Sequence, residues 1–110
     1  MKALLIDPHL QTVTEVEYGG VLEDLYRLTH CEIVEAVGIG KGDVVYVDEE
    51  GLFHDPAKQA FFVISDFHQP LAGYGLVVGV TGSGADASPK TTLAQLRGRV
   101  SFVIPRHQQA

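Results

Sequence analysis

Residues 60–80 read AFFVISDFHQPLAGYGLVVGV. Two apolar runs, AFFVIS over 60–65 and LVVGV over 76–80, flank a connection rich in turn-forming residues. A strand with one wet face alternates apolar with polar residues, whereas one buried on both faces stays apolar throughout. The pair is therefore read as strands inside a core, and the flanking sequence as what surrounds them.

Upstream, KALLI at 2–6 is a short apolar run that ends on the turn signal Asp7-Pro8. TVTEVEY at 12–18 is β-branched and alternating, so the two runs form an antiparallel hairpin. Gly19 and Gly20 break the strand. Leu22, Leu25, Tyr26 and Leu28 then fall at helical spacing, with acidic Glu23 and Asp24 in the first turn, where the helix dipole favours them. This predicts a helix over 21–29. Strands follow at 31–37 and 44–48, joined by the glycine-rich turn 38–43, and residues 52–59 are loop.

Downstream, TGSGADASPK at 81–90 is a loop of small residues. Thr92 and Gln95 have capping-box spacing, in which each side chain satisfies the other's backbone N–H. That starts a helix at Leu93, which Gly98 is placed to end. The last strand is 100–104, with a frayed tail at 105–110. The sum is an α+β domain over 1–104: an antiparallel or mixed sheet of about seven strands, with two short helices mainly on one face. Two short helices cannot cover both faces of such a sheet. Either the sheet curls over itself or a second copy covers the remainder, and the expectation is a homo-oligomer.

Composition narrows the function. A chain of 110 residues that is 45% hydrophobic holds one core. Its formal charge of −6 and scattered basic residues argue against direct nucleic-acid binding. The densest acidic run, residues 48–50, is too short for a DNA mimic. Cys31 has no cysteine to pair with and is read as a buried thiol at a strand start. The N-terminus is too short in apolar residues for a signal sequence, and no run approaches a membrane span, so a cytoplasmic protein without a membrane partner is expected.

Three places are candidates for chemistry. The loop 81–91 leads from a strand into a helix start. Its glycines let backbone N–H groups approach an anion, with Thr81, Ser83, Lys90 and Thr91 as added donors. It lacks the P-loop pattern, and Asp86 would repel a phosphate. The plainer reading is a flexible connection. Residues 73–79 carry three glycines, but they lead into a strand, so a dinucleotide fingerprint is rejected. Gly73 and Gly75 instead turn the chain around Tyr74, and Gly79 permits a close contact. Finally, Asp66 and His68 at i, i+2 point the same way, as metal ligands or an acid–base pair would, with His54 and Gln69 nearby. Solvated turn residues are the default there, so neither a metal nor a cofactor is assigned and no catalytic set is identified.

The residues 1–8 (MKALLIDP), 15–18 (EVEY), 46–52 (YVDEEGL), 69–79 (QPLAGYGLVVG), 88–96 (SPKTTLAQL) and 100–103 (VSFV) resemble, in this order, a family of small proteins of unknown function encoded by phages, plasmids and integrated elements. The resemblance implies an accessory role in a bacterial cytoplasm and carries no catalytic or binding residue. The leading reading is a non-enzymatic protein that acts by binding. It either sequesters a small, nucleotide-like anionic ligand, in a pocket lined by residues 66–75 and 81–92, or blocks a host protein, for instance one of defence. A structural, oligomerising subunit and a small metal-dependent hydrolase are the alternatives.

Overall fold

The computed structural model describes residues 1–50, 60–65, 67 and 69–103. Lys2–Asp7 (β1) and Thr12–Glu17 (β2) form the expected hairpin, in register from Lys2 opposite Glu17 to Asp7 opposite Thr12. Its turn is held by Asp7, whose Oδ1 accepts the backbone N–H groups of His9 (2.9 Å) and Leu10 (3.1 Å). The helix Leu22–Thr29 (α1) follows, with no side-chain cap at Val21. Instead, Asp24 turns back to accept from the Gly19 backbone at 2.6 Å and pairs with Arg27. His30 ends the helix in the left-handed conformation, donating its N–H to the Tyr26 carbonyl.

The strands Val34–Gly40 (β3) and Asp43–Asp48 (β4) make a second hairpin around Lys41 and Gly42. Both turn residues have positive φ, 59° and 79°, the geometry whose twist matches the flanking strands. This strand begins and ends three residues later than expected, because the left-handed cap at His30 must first reverse the chain. Further on come Phe61–Ile64 (β5), Leu71–Ala72 (β6), Gly75–Val80 (β7), Asp86–Ala87 (β8), the helix Leu93–Arg99 (α2) and Val100–Val103 (β9). The two-residue strands β6 and β8 lie within stretches read as connections.

All described pairings are antiparallel. The main sheet has the order β2-β1-β7-β4-β3, with β8 on the end of β7, and the smaller one is β6-β5-β9. The apolar run 76–80 does lie at the centre: Leu76, Val77 and Val78 have no exposed surface. Alternate residues of β7 enter two different cores. Val77 joins Leu4, Ile6, Val45, Phe62, Ile64 and Leu96, whereas Leu76 and Val78 join Ala3, Tyr18, Leu25 and Leu28.

The fold class is as expected, but the helices are not on one face. A central strand that is apolar on both sides needs cover on both, and the helices divide: α1 packs over one face, α2 and the smaller sheet over the other. The cover that might have come from a second copy is supplied, on this face, by the chain itself. Two glycines make the layers fit. A Cβ on Gly75 would stand 2.7 Å from the Phe62 ring, and one on Gly79 would stand 2.5 Å from the Ser88 carbonyl oxygen. The capping box at Thr92 and Gln95 is formed in full. The helix nonetheless runs through Gly98 to Arg99, because it passes straight into β9 without a left-handed residue.

Candidate functional site

Strand β7 decides which of the candidate residues meet. Tyr74 precedes it and Thr81 follows it, so they stand at opposite ends of a six-residue strand, roughly 22–24 Å apart at ordinary strand rise. None of the clefts lined by described residues contains residues of both segments, 66–75 and 81–92. Asp66, His68 and His54 lie outside the described residues. Gln69 is exposed, just before β6.

At the Tyr74 end, the phenol ring stacks on His30 at a centroid distance of 4.4 Å and leans on His9 at 5.4 Å. Partial burial, and then the Asp7 carboxylate, raise its pKa. The left-handed backbone of His30 is what aims that imidazole at the ring. His30 thus covers one face of the half-buried Tyr74 ring, and His9 makes a second, tilted contact with it.

The loop at the other end is more ordered than its composition implies. Thr81 closes a short hairpin, its hydroxyl 3.0 Å from Ser83 Oγ and accepting from the Ala85 N–H at 3.1 Å. Lys90 and Thr91 are fixed by Asp43, which is 2% exposed. Its carboxylate accepts the Lys90 N–H (3.0 Å), the Thr91 N–H (2.8 Å) and the Thr91 hydroxyl (2.6 Å). Asp43 was not among the residues singled out from the sequence. Its position after a Gly-Lys-Gly turn marks it only as a turn residue.

Beside this staple lies a cleft of about 350 Å³, lined by Lys41, Thr91, Ala94, Gln95, Gly98 and Arg99. Its chemistry is one-sided. Thr91 spends its hydroxyl proton on Asp43. Gln95 spends its amide oxygen on the Thr92 N–H, and its NH₂ group has no partner among the described residues. The Arg99 guanidinium donates to Ser65 Oγ (3.2 Å), the Ser65 carbonyl (3.1 Å) and the Ile39 carbonyl (3.0 Å), with one N–H left over on each terminal nitrogen. Lys41 is carried on the left-handed turn, and the Lys90 ammonium lies 3.3 Å from where a Gly42 Cβ would be.

Charge is segregated in the same way. The N-terminal ammonium, Lys2 and Arg27 are paired with Glu17, Glu15 and Asp24. Among the described residues, Lys41, Lys90, Arg97 and Arg99 have no carboxylate within 4 Å. The cleft is a cationic, donor-lined corner on an acidic protein.

A model of the family DUF3846, a domain of unknown function, matches residues 1–101. The chain belongs to that family. No curated protein and no solved structure matches it. The matched span takes in the main sheet, both helices and the cationic corner.

One further cluster in this DUF3846 domain escaped the sequence reading. Tyr18 and Tyr46 come from β2's end and from β4, and both hydroxyls donate to Asp86 on β8, each at 2.7 Å. Asp86 therefore faces inward under α1, and both its oxygens are engaged. Burial first, and then the Asp86 carboxylate, push Tyr46 up to about 12 and Tyr18 higher still. Three residues so distant in sequence share no spacing signal. Cys31 lies beside the Thr29 hydroxyl at 3.1 Å, ahead of β3 rather than in it, and burial raises its thiol pKa. No group of three His, Cys, Asp or Glu among the described residues converges as a metal site would. No described helix is long and apolar enough to cross a membrane.

Proposed function

We propose that this protein is a non-catalytic binding protein that captures a small phosphate-bearing ligand in the cleft between the β3–β4 turn and α2. The observation that carries this reading is the lining: Lys41, Gln95 and Arg99 present donors, and among the described residues no carboxylate pairs with them. A group made only of acceptors, such as a phosphoryl group, satisfies every donor there without leaving one unpaired. The volume lies at the small end of ligand pockets, as suits a mononucleotide or a phosphorylated metabolite. Thr81 and Ser83, bonded to each other, do not enter this site; Thr91 lines it, and Lys90 stands outside the lining with its ammonium beside Gly42.

The wider setting, an accessory protein of a phage or other mobile element at work in a bacterial cytoplasm, rests on the sequence resemblance alone, most specifically on the segments around Tyr46 and Tyr74. Blockade of a host protein would instead use an exposed apolar patch. Val21 and Leu22, 54% and 59% exposed, are the residues that offer one. Glutamates at both positions would remove that patch without touching the cleft.

The test is thermal shift and calorimetry with inorganic phosphate, pyrophosphate and mononucleotides. A ligand at a hundred times its Kd stabilises the fold by about 2.7 kcal/mol, a rise in Tm of about 10 °C for a domain of this size. Lys41→Glu with Lys90→Glu should abolish the shift and leave the unliganded Tm nearly unchanged. Indifference to every phosphate compound at millimolar concentration would overturn the proposal.

A further inference from the structure

A second cleft, about 340 Å³, runs along the opposite side of α2, between it and the edge strand β2. Its walls include Thr12, Val13 and Thr14 on one side, with Arg97, Val100 and Phe102 on the other. What this groove fits follows from the backbone of β2. Met1 and Tyr18 exchange both backbone hydrogen bonds, 2.8 and 2.9 Å. Antiparallel pairs alternate between bonded and non-bonded, so the register makes Ala3–Val16, Leu5–Thr14 and Asp7–Thr12 the bonded pairs. The N–H and C=O groups of Val13, Glu15 and Glu17 must then point away from β1, toward open space.

One of these outward groups is in use: the Val13 carbonyl accepts from Arg97 Nε at 3.1 Å. That single bond fixes the guanidinium plane against the strand edge. Both terminal nitrogens of Arg97 stay without a partner among the described residues, and no carboxylate lies within 4 Å of them. Arg99 closes the opposite edge strand, β3, through the Ile39 carbonyl, but it also spends its other nitrogens on Ser65. The two arginines of α2 thus reach to the two edges of the main sheet, and only Arg97 keeps an open fork. Further along β2, Glu15 and Glu17 are already matched by Lys2 and the N-terminal ammonium, so the uncompensated charge of this edge is positive and sits at Arg97.

We propose that β2 accepts an extended peptide segment of a partner protein as an added strand, with a carboxylate of that segment bound by the fork of Arg97. Main-chain bonds to the Val13 N–H and to both outward groups of Glu15 supply affinity, while the Val13 carbonyl stays with Arg97. Two parallel N–H···O bonds from Arg97 to an aspartate or glutamate set the register. Residues two apart on a strand share a face, so an apolar side chain two positions from the acidic one lies over Val100 and Phe102. The recognised pattern is an acidic residue and a β-branched apolar residue at i, i+2, in a segment otherwise free of charge.

The probe is a fluorescent, end-blocked peptide Thr-Asp-Val-Val-Thr, titrated against the full chain and read by anisotropy. Its Asp→Lys counterpart is the control. The expected result is saturable binding of the acidic peptide, weakened about tenfold or more in the lysine peptide and to a similar degree by Arg97→Ala. Glu15→Pro removes an outward N–H without touching the ladder to β1, so it should abolish binding while Tm stays close to that of the parent. Phosphate binding at the other cleft should survive both substitutions, which separates this proposal from the one above. No saturable binding by the acidic peptide, or equal binding of both peptides, or binding untouched by both substitutions, overturns the proposal.

Discussion

Replacing Asp43 by alanine tests whether the cationic corner is built or incidental. The carboxylate accepts three hydrogen bonds in a site where Asp43 is 2% and Thr91 4% exposed. Removing the acceptor leaves two backbone N–H groups and one hydroxyl without partners. Each stranded buried donor costs about 1–3 kcal/mol. The Lys90 N–H is only partly buried and can turn to water, so the sum is taken near the low end, about 3–5 kcal/mol. The whole domain should be stable by about 5–15 kcal/mol, so this one side chain accounts for about a fifth of it or more. Converted at about 4–6 °C per kcal/mol, the loss is about 15–25 °C in Tm.

Thr91→Val removes a single donor and leaves the carboxylate with two, so it should cost about 1–2 kcal/mol. Because both changes dismantle the same unit, the double variant should be less destabilised than the sum of the singles. Urea unfolding followed by circular dichroism measures all three. A loss below about 1 kcal/mol for Asp43→Ala, or strict additivity with Thr91→Val, would refute the staple.

Tyr18 and Tyr46 keep their protons in the fold well above the pH, about 10, at which an unfolded chain releases them. Their contribution to stability is therefore complete below about pH 10 and falls as the pH rises toward about 12, where Tyr46 ionises in the folded state. Phenolate absorbance should show Tyr18 and Tyr46 ionising late, and Asp86→Asn should bring both forward; ionisation of these two near pH 10 would count against the cluster. Gly79→Ala drives a methyl group onto the Ser88 carbonyl, at 2.5 Å, and nothing flexible can yield, so insoluble or poorly folded protein is expected. Thr92→Ala removes one half of the capping box and should cost about 1 kcal/mol in urea unfolding.

The elements legible in the sequence were those whose signal is local. The run 76–80 announced a strand buried on both sides, and Thr92 with Gln95 announced the start of α2. Each rests on residues at most a few positions apart. The pairing partners were not legible, and they decide the site. Nothing in residues 100–103 says that they pair with 61–64 to make a second sheet, so the sequence leaves open whether the chain itself or a second copy covers that face. Loop composition misled in a related way. Residues 81–91 look like donors waiting for an anion, yet Thr81 and Ser83 satisfy each other and Thr91 satisfies a carboxylate 48 positions away. The free donors belong instead to Lys41, Gln95 and Arg99, ordinary surface residues until the fold shows which of their atoms are already in use.

That accounting also explains how an acidic chain comes to have a positive corner. At this end of the main sheet the two nearest carboxylates, Asp43 and Asp86, are drawn inward by three and two donors respectively. Each holds a loop in place, one the approach to α2 and the other β8, and neither is left to pair with a lysine. Lys41 and the Lys90 ammonium therefore flank one turn without a counter-charge among the described residues. Proximity of like charges costs folding energy in the unliganded protein, and an anion in the cleft relieves it. The ligand should accordingly bind more weakly as salt screens the corner, whereas strand addition at β2, which rests mainly on backbone bonds and one carboxylate, should lose less over the same range of ionic strength.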